Sequence, residues 1–175
     1  MRQPLPKIWL MTDERLGDRL GEAVARLPTD AGIVFRHYSL SSGDRRSLFE
    51  AVKAEAKARD LRLLLAGTAE DAALWEADGS HGRGPGAGFR SAPVHDLAEI
   101  RAAERDGADL LFLSPVHATR SHPDAASLGL EGFAALVRET RLPVIALGGM
   151  NAARARETAR LGAFGWAGID AWLGG

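Results

Sequence analysis

Two short stretches carry glycines where a buried strand has little use for them: Gly148 and Gly149 in LPVIALGGMN, and Gly168 in GWAGID. Glycine packs nothing and costs backbone entropy, but it lets a bulky anion approach bare main-chain N–H groups. Asn151 follows the first pair and reads as a helix cap, and a helix start adds a dipole that favours negative charge. Gly148, Gly149, Ala167 and Gly168 are therefore candidate phosphate-binding residues; the alternative is that they only form tight strand-to-helix turns. The five histidines, His37, His81, His95, His117 and His122, each fall near the end of an apolar run or in the segment after it. His117 and His122 share the polar stretch PVHATRSHPD with Thr119, Arg120 and Ser121, a composition that suits a lid over a substrate as well as an ordinary surface loop. No two histidines show the helical spacing of a metal-ligand pair.

The elements that must position these residues alternate along the chain. KIWLMT predicts a strand at Ile8–Thr12, followed by a helix in LGDRLGEAVARL. Further strands are expected at Ile33–Tyr38, Arg62–Ala66, a very short one in DGSHG, a weak one in FRSAPV, and then in ADLLFLSPV, LPVIALGG and GWAGI, with helices between most of them. DAWLGG predicts a short last helix. GRGPGAG holds four glycines in seven residues. It cannot sustain a helix, and a mobile loop is expected there, at the rim after the fourth strand. Alternating strands and helices argue a parallel sheet with right-handed crossovers. Eight units suit a closed (β/α)8 barrel, although such barrels typically take about 250 residues. An open doubly wound sheet is the rival.

Composition narrows the function classes. The chain has 175 residues, 46% hydrophobic and 26% charged, with a net charge of −1. No basic footprint points to nucleic acid or to an anionic membrane, so any phosphate site must be local. There is no cysteine, hence no disulfide framework and no thiolate chemistry. With no signal-like or membrane-length apolar run, the expectation is a cytoplasmic single-domain protein spanning residues 1–175. It should act on a small phosphorylated substrate with neither nucleic acid nor membrane as partner, and a homodimer is left open.

The stretches ADLLFLSPVHATRSHPDAASLGLEGF, LPVIALGGMN and GAFGWAGIDAW resemble the thiamine phosphate synthase and TenI (thiazole tautomerase) family, including their spacing, from about Ser91 to Trp172. IWLMTDERLG and GIVFRHYS look like that family's first and second strands. The resemblance implies a compact (β/α)8 TIM barrel with short helices and the glycine-rich loop in place of the fourth helix. It also implies condensation of a thiazole phosphate with hydroxymethylpyrimidine diphosphate, with Mg²⁺ and release of pyrophosphate. On this resemblance the thiazole phosphate lies on Gly148, Gly149 and the Ala167–Gly168 amides, with Ser91, Tyr38, Thr119, Arg120 and Ser121 as further substrate contacts.

The sequence also departs from the family. Where its second strand carries Gln, Arg and Lys at alternate positions, this chain reads Arg36, Tyr38 and Leu40, which alternation would point into the barrel mouth. The third strand ends in Ala66-Gly67 instead of Asn-Asp, and the second metal carboxylate is replaced within GRGPG. The lid lysine is replaced by His122, and the TenI catalytic histidine position reads Pro115. No protein-held Mg²⁺ and no other cofactor are therefore expected. Arg36 and His122 are the candidates to stabilise a departing diphosphate. Three readings follow: a divergent synthase; a metal-independent enzyme on the same thiazole phosphate, with His37, His81 or His95 as base; and a non-catalytic binder of thiazole or thiamine phosphate.

Overall fold

The computed structural model describes residues 4–118 and 126–174. Eight parallel strands close into a barrel in sequence order: β1 (Ile8–Met11), β2 (Gly32–Phe35), β3 (Arg62–Ala66), β4 (Gly79–His81), β5 (Arg90–Val94), β6 (Leu110–Leu113), β7 (Val144–Ala146) and β8 (Gly165–Gly168). The closing pair aligns Trp9 with Ala167 and Leu10 with Gly168, which removes the open doubly wound sheet from consideration. The helices are α1 (Leu20–Ala25), α2 (Ser42–Ala58), α3 (Ala69–Leu74), α4 (Leu97–Arg105), α5 (Gly129–Val137) and α6 (Ala152–Arg160). Apart from the 17-residue α2 they run to six or nine residues, and this economy fits an eightfold barrel into a short chain. Side-chain caps start four of them at the carboxyl rim: Ser41, Thr68, Asp96 and Asn151 each accept a main-chain N–H from the first turn.

Alternate residues of the strands fill the barrel. Trp9, Met11, Val34, Leu64, Phe112 and Ile145 are among the buried interior set, while the intervening residues pack under the helices in two outer clusters. Trp9 dominates the interior. Its indole N–H donates to the Pro6 carbonyl at 2.9 Å, and its ring meets Phe112 edge-on at 5.4 Å. Gly32, opposite Trp9 in the β1–β2 register, leaves the room that ring needs: a Cβ there would lie 2.3 Å from it.

No helix separates β4 from β5; residues 82–89 form the expected glycine-rich connection at the rim. It is nonetheless tied down. The buried Arg90 donates through Nη1 to the Gly84 carbonyl at 2.8 Å and through Nη2 to the Asp106 carbonyl, which fastens the middle of the loop to the end of α4.

Several elements are shorter than the sequence suggests. The first helix is divided: a 3-10 turn at Glu14–Arg19 breaks at Gly17 (φ 46°) before α1 begins. The segment after β8 is a single 3-10 turn, Asp170–Trp172. Most consequentially, β2 ends at Phe35, and His37 takes a left-handed φ of 47°. Strand alternation therefore does not carry Tyr38 and Leu40 into the mouth, and Tyr38 is 65% exposed.

Because the space over Gly32 is already occupied by an indole, Gly32→Ala is expected to lower stability by about 1–3 kcal/mol. The readout is a reduced urea midpoint at unchanged m-value. An unchanged midpoint would contradict this account of the interior.

Candidate functional site

The carboxyl ends of the strands form one rim with chemically distinct walls. On the β7–β8 wall, Gly148 (φ 102°) and Gly149 (φ 61°) use backbone conformations that other residues rarely adopt. They also sit against the turn after β6. A Cβ on Gly148 would meet Pro115 Cα at 2.7 Å, and one on Gly149 would meet the Ala118 carbonyl at 2.9 Å. The Gly148 carbonyl is used, accepting from His117 N–H at 3.1 Å, whereas neither Gly148 N–H nor Gly149 N–H has a backbone partner among the described residues. Both precede α6, whose own first amides, Ala153 and Arg154, are taken by the Asn151 side chain. The Arg154 guanidinium bonds the Gly149 carbonyl, adding positive charge beside the free donors. Gly168 ends the neighbouring strand; Ala167 lies one step deeper, fully buried in the barrel interior. Close packing and bare amides both explain why glycine stands here.

The β1–β2 wall is held by side chains. Arg36 donates through Nε to the Thr12 carbonyl at 2.7 Å and through Nη2 to Asp13 Oδ2 at 2.8 Å. Its own N–H donates to Thr12 Oγ1, which also lies 3.0 Å from His37 Nδ1. Ser39 donates through N–H and hydroxyl to Glu14 Oε1 at 2.9 and 3.0 Å, and the amide holds the Glu14 carboxyl below the usual carboxylate range. Arg45 of α2 closes the wall from outside. It bonds the Arg36 carbonyl at 2.8 Å and the Ala66 carbonyl at 2.7 Å, with its guanidinium 5.5 Å from the Tyr38 ring centre. Arg36 thus faces the mouth already paired with a carboxylate, and an anion must compete with Asp13 for it.

Between these walls lies His81. It shares its interior-facing position with Ala66 on β3 and Ser91 on β5. Its Nδ1 is 2.9 Å from Ser91 Oγ, and its ring meets Phe112 edge-on at 5.0 Å. Burial, with a smaller effect from the Arg36 cation, pushes its pKa down to about 3, so the imidazole is neutral at physiological pH. His37 is also lowered, chiefly by burial. His95 instead stands at the surface, 2.7 Å from Glu99 Oε2, and His117 packs toward α6 beside Arg154 and Glu157. Thr119, Arg120, Ser121 and His122 lie outside the described residues.

The donor set at β3 and β4 does not fit Mg²⁺, which takes oxygen ligands and usually one or two carboxylates. Ala66 and Gly67 offer no side-chain oxygen. Of the two acids that follow in α3, Glu70 and Asp71, the second is consumed in the capping box with Thr68. Among the described residues, no three His, Asp or Glu side chains group as a metal site.

The sequence model of the family described as thiamine monophosphate synthase matches residues 91–172. That stretch spans β5 to β8 and carries the glycine wall. A putative thiamine-phosphate synthase 2 from Aquifex aeolicus is 29% identical over 183 residues, covering 97% of this chain and 98% of that protein. The thiamine phosphate pyrophosphorylase of Pyrococcus furiosus superposes with a TM-score of 0.76 at 26% identity, over 94% of this chain and 85% of that one. Over residues 91–172 the chain is similar to the thiamine monophosphate synthase family, and over nearly its whole length to these two proteins. Similarity is uneven along it: the thiamine-phosphate synthase of Chloroflexus aurantiacus is 43% identical, but over 79 residues, 45% of this chain and 37% of that protein. Family likeness is thus concentrated in the half of the barrel that holds the bare amides. The half that holds Arg36, Ala66 and Gly67 lies outside the matched stretch.

Buried neutral histidines tie stability to pH. With His81 near 3 when folded and about 6.5 when unfolded, the unfolded chain binds more protons between those values, so stability falls as pH is lowered through that window. From pH 7 to pH 5 the loss attributable to His81 is about 2 kcal/mol. Glu14 and Glu22, lowered in the fold, add their own loss only below about pH 4.5. Urea unfolding of wild type and His81→Gln across pH 5–7 checks this: the variant's pH dependence should be clearly shallower, and parallel profiles would contradict a buried neutral His81.

Proposed function

We propose that the chain is a thiamine phosphate synthase-like enzyme of thiamine biosynthesis that seats a thiazole phosphate at Gly148, Gly149 and Gly168 and joins it to hydroxymethylpyrimidine diphosphate. The observation that carries this reading is the pair of glycine amides before α6 that have no backbone partner among the described residues, inside the stretch that matches the family. In the reaction, the thiazole nitrogen supplies the electron pair for a new C–N bond to the pyrimidine methylene. The C–O bond to the diphosphate breaks, and pyrophosphate leaves with that electron pair. No side chain needs to remove a proton. The protein's work is to hold the two rings in line and to stabilise the leaving charge.

Arg36 is the described side chain best placed for the second task, once it exchanges Asp13 for the diphosphate. Loss of one such contact typically costs about 2–4 kcal/mol, a factor of about 30–1,000. A second reading, a metal-independent enzyme or a binder of thiazole or thiamine phosphate, is favoured by one specific observation: Ala66 and Gly67 stand where the resemblance expects metal-binding Asn-Asp. In either reading the protein acts in the cytoplasm on small phosphorylated substrates. Among the described residues no helix is long and apolar enough to cross a membrane.

Pyrophosphate release and thiamine phosphate formation from the two substrates, with Mg²⁺ or with EDTA, test the proposal. Turnover is expected. Arg36→Gln should slow it at least 30-fold while changing thiazole phosphate affinity less than twofold. Thiazole phosphate binding without pyrophosphate release would favour the second reading, and absence of thiazole phosphate binding would contradict both.

A further inference from the structure

Outside the barrel, the missing helix between β4 and β5 leaves a recess. It lies between residues 82–84 of the glycine-rich connection, the outer face of β5 and α4, and measures about 390 Å³ with its mouth included, the small end of the range for ligand sites. Its space comes from side-chain size: Ala92, Ala102, Ala103 and Ala108 line it with methyl groups. Ala92 faces outward into the cluster beneath α4, and strand alternation puts Arg90, two residues earlier, on the same face.

Arg90 is the unusual member of this lining. It is 5% exposed, yet the carboxylates near it pair elsewhere: Glu99 with Arg83 at 2.6 Å, and Glu104 with Arg101 at 3.0 Å. Asp109 accepts from the Arg90 main-chain N–H, not from the side chain. The guanidinium is held by two carbonyls instead, Gly84 through Nη1 at 2.8 Å and Asp106 through Nη2. Both acceptor residues border the recess, so the guanidinium lies along one side of it. Five N–H donors are more than two carbonyls use. Nε has no acceptor among the described residues, and it is not one of the sealed, unpartnered side-chain atoms, His117 Nε2 and Trp172 Nε1. In a residue this buried, its N–H opens into the recess. A buried cation without a counter-ion is costly, and a fork of donors suits a carboxylate.

We infer that the recess is a binding site for a compact apolar monocarboxylate, with its carboxylate on Arg90 and its hydrocarbon against the four alanines. A single negative charge is the match. Glu99 and Asp106 also border the recess, so a dianion is disfavoured there, whereas the methyl lining favours an apolar body. The site is separate from the mouth but touches its wall. Ser91 borders the recess and bonds His81 in the barrel interior, and Gly82 follows His81 directly. Arg90 and the alanines have no part in the proposed condensation, so the site stands whether or not that reaction does.

The test titrates isobutyrate and isobutyramide, which share a shape and differ in charge, into ¹⁵N-labelled wild-type protein at pH 7.5. Inorganic phosphate is the third probe. Isobutyrate should give saturable shifts centred on Gly84, Gly107 and the Arg90 Nε–H, and should bind at least tenfold tighter than the amide. Phosphate should leave those resonances in place. Ala102→Leu fills the recess without removing the cation; it should unfold as cooperatively as wild type and bind isobutyrate at least tenfold more weakly. Arg90→Met should bring the two probes within twofold of each other, and if loss of the loop fastening prevents its folding, Ala102→Leu and the Nε–H shift still decide. Equal affinity for the two probes in wild type, isobutyrate binding unchanged by Ala102→Leu, shifts confined to Gly148 and Gly149, or phosphate saturating the same resonances would overturn the proposal.

Discussion

Pairing of β8 with β1 is the constraint on which the rest of the structure depends. The contact is close enough to dictate sequence: Trp166 N–H donates to the Lys7 carbonyl at 2.8 Å, and a Cβ on Gly165 would come within 2.1 Å of that same oxygen. Closing the sheet there places residues from the two ends of the chain side by side. Gly168 then borders the β1 end that carries Thr12 and Asp13. Without closure, the bare amides after β7 and the guanidinium after β2 would belong to separate edges and could not address one substrate.

On the proposed reading, the two walls so joined handle negative charge by different means. At β7–β8 the donors are main-chain amides fixed by the positive φ of two glycines, so binding requires little reorganisation. At β1–β2 the donor is Arg36, held against Asp13, so anion binding there means breaking one ion pair to make another. Both side chains of that pair are about one-quarter exposed, which keeps the exchange less costly than dismantling a fully buried pair. The division suits a substrate pair in which one phosphate anchors and the other departs: a rigid cradle for the group that stays, and an adjustable contact for the group that leaves.

The parallel α/β architecture was legible because strand and helix periods alternate, its closure only through the family resemblance, and the glycine loop because glycine at that density rules out a helix. Three parts of the site were less accessible for physical reasons. The end of β2 depends on His37 taking a left-handed φ, which a non-glycine residue does not advertise. The Arg36–Asp13 pair and the reach of Arg45 across two strand ends are tertiary contacts between residues 23 and 21 positions apart, invisible to local spacing. His81 sits in a three-residue strand, Gly-Ser-His, without a hydrophobic signature. Its importance comes from Ser91, ten positions later, through a register that only the closed sheet defines.

The central claim is that negative charge is anchored by the amides of Gly148 and Gly149, beside the end of β8. Titrating inorganic phosphate into ¹⁵N-labelled protein and following its amide resonances measures this residue by residue. The account predicts saturable downfield shifts that are largest at these two glycines and weaker at the start of α6, with little change at the Arg36 backbone. Shifts centred on the β1–β2 wall, or no saturable shift at Gly148 and Gly149, would contradict it.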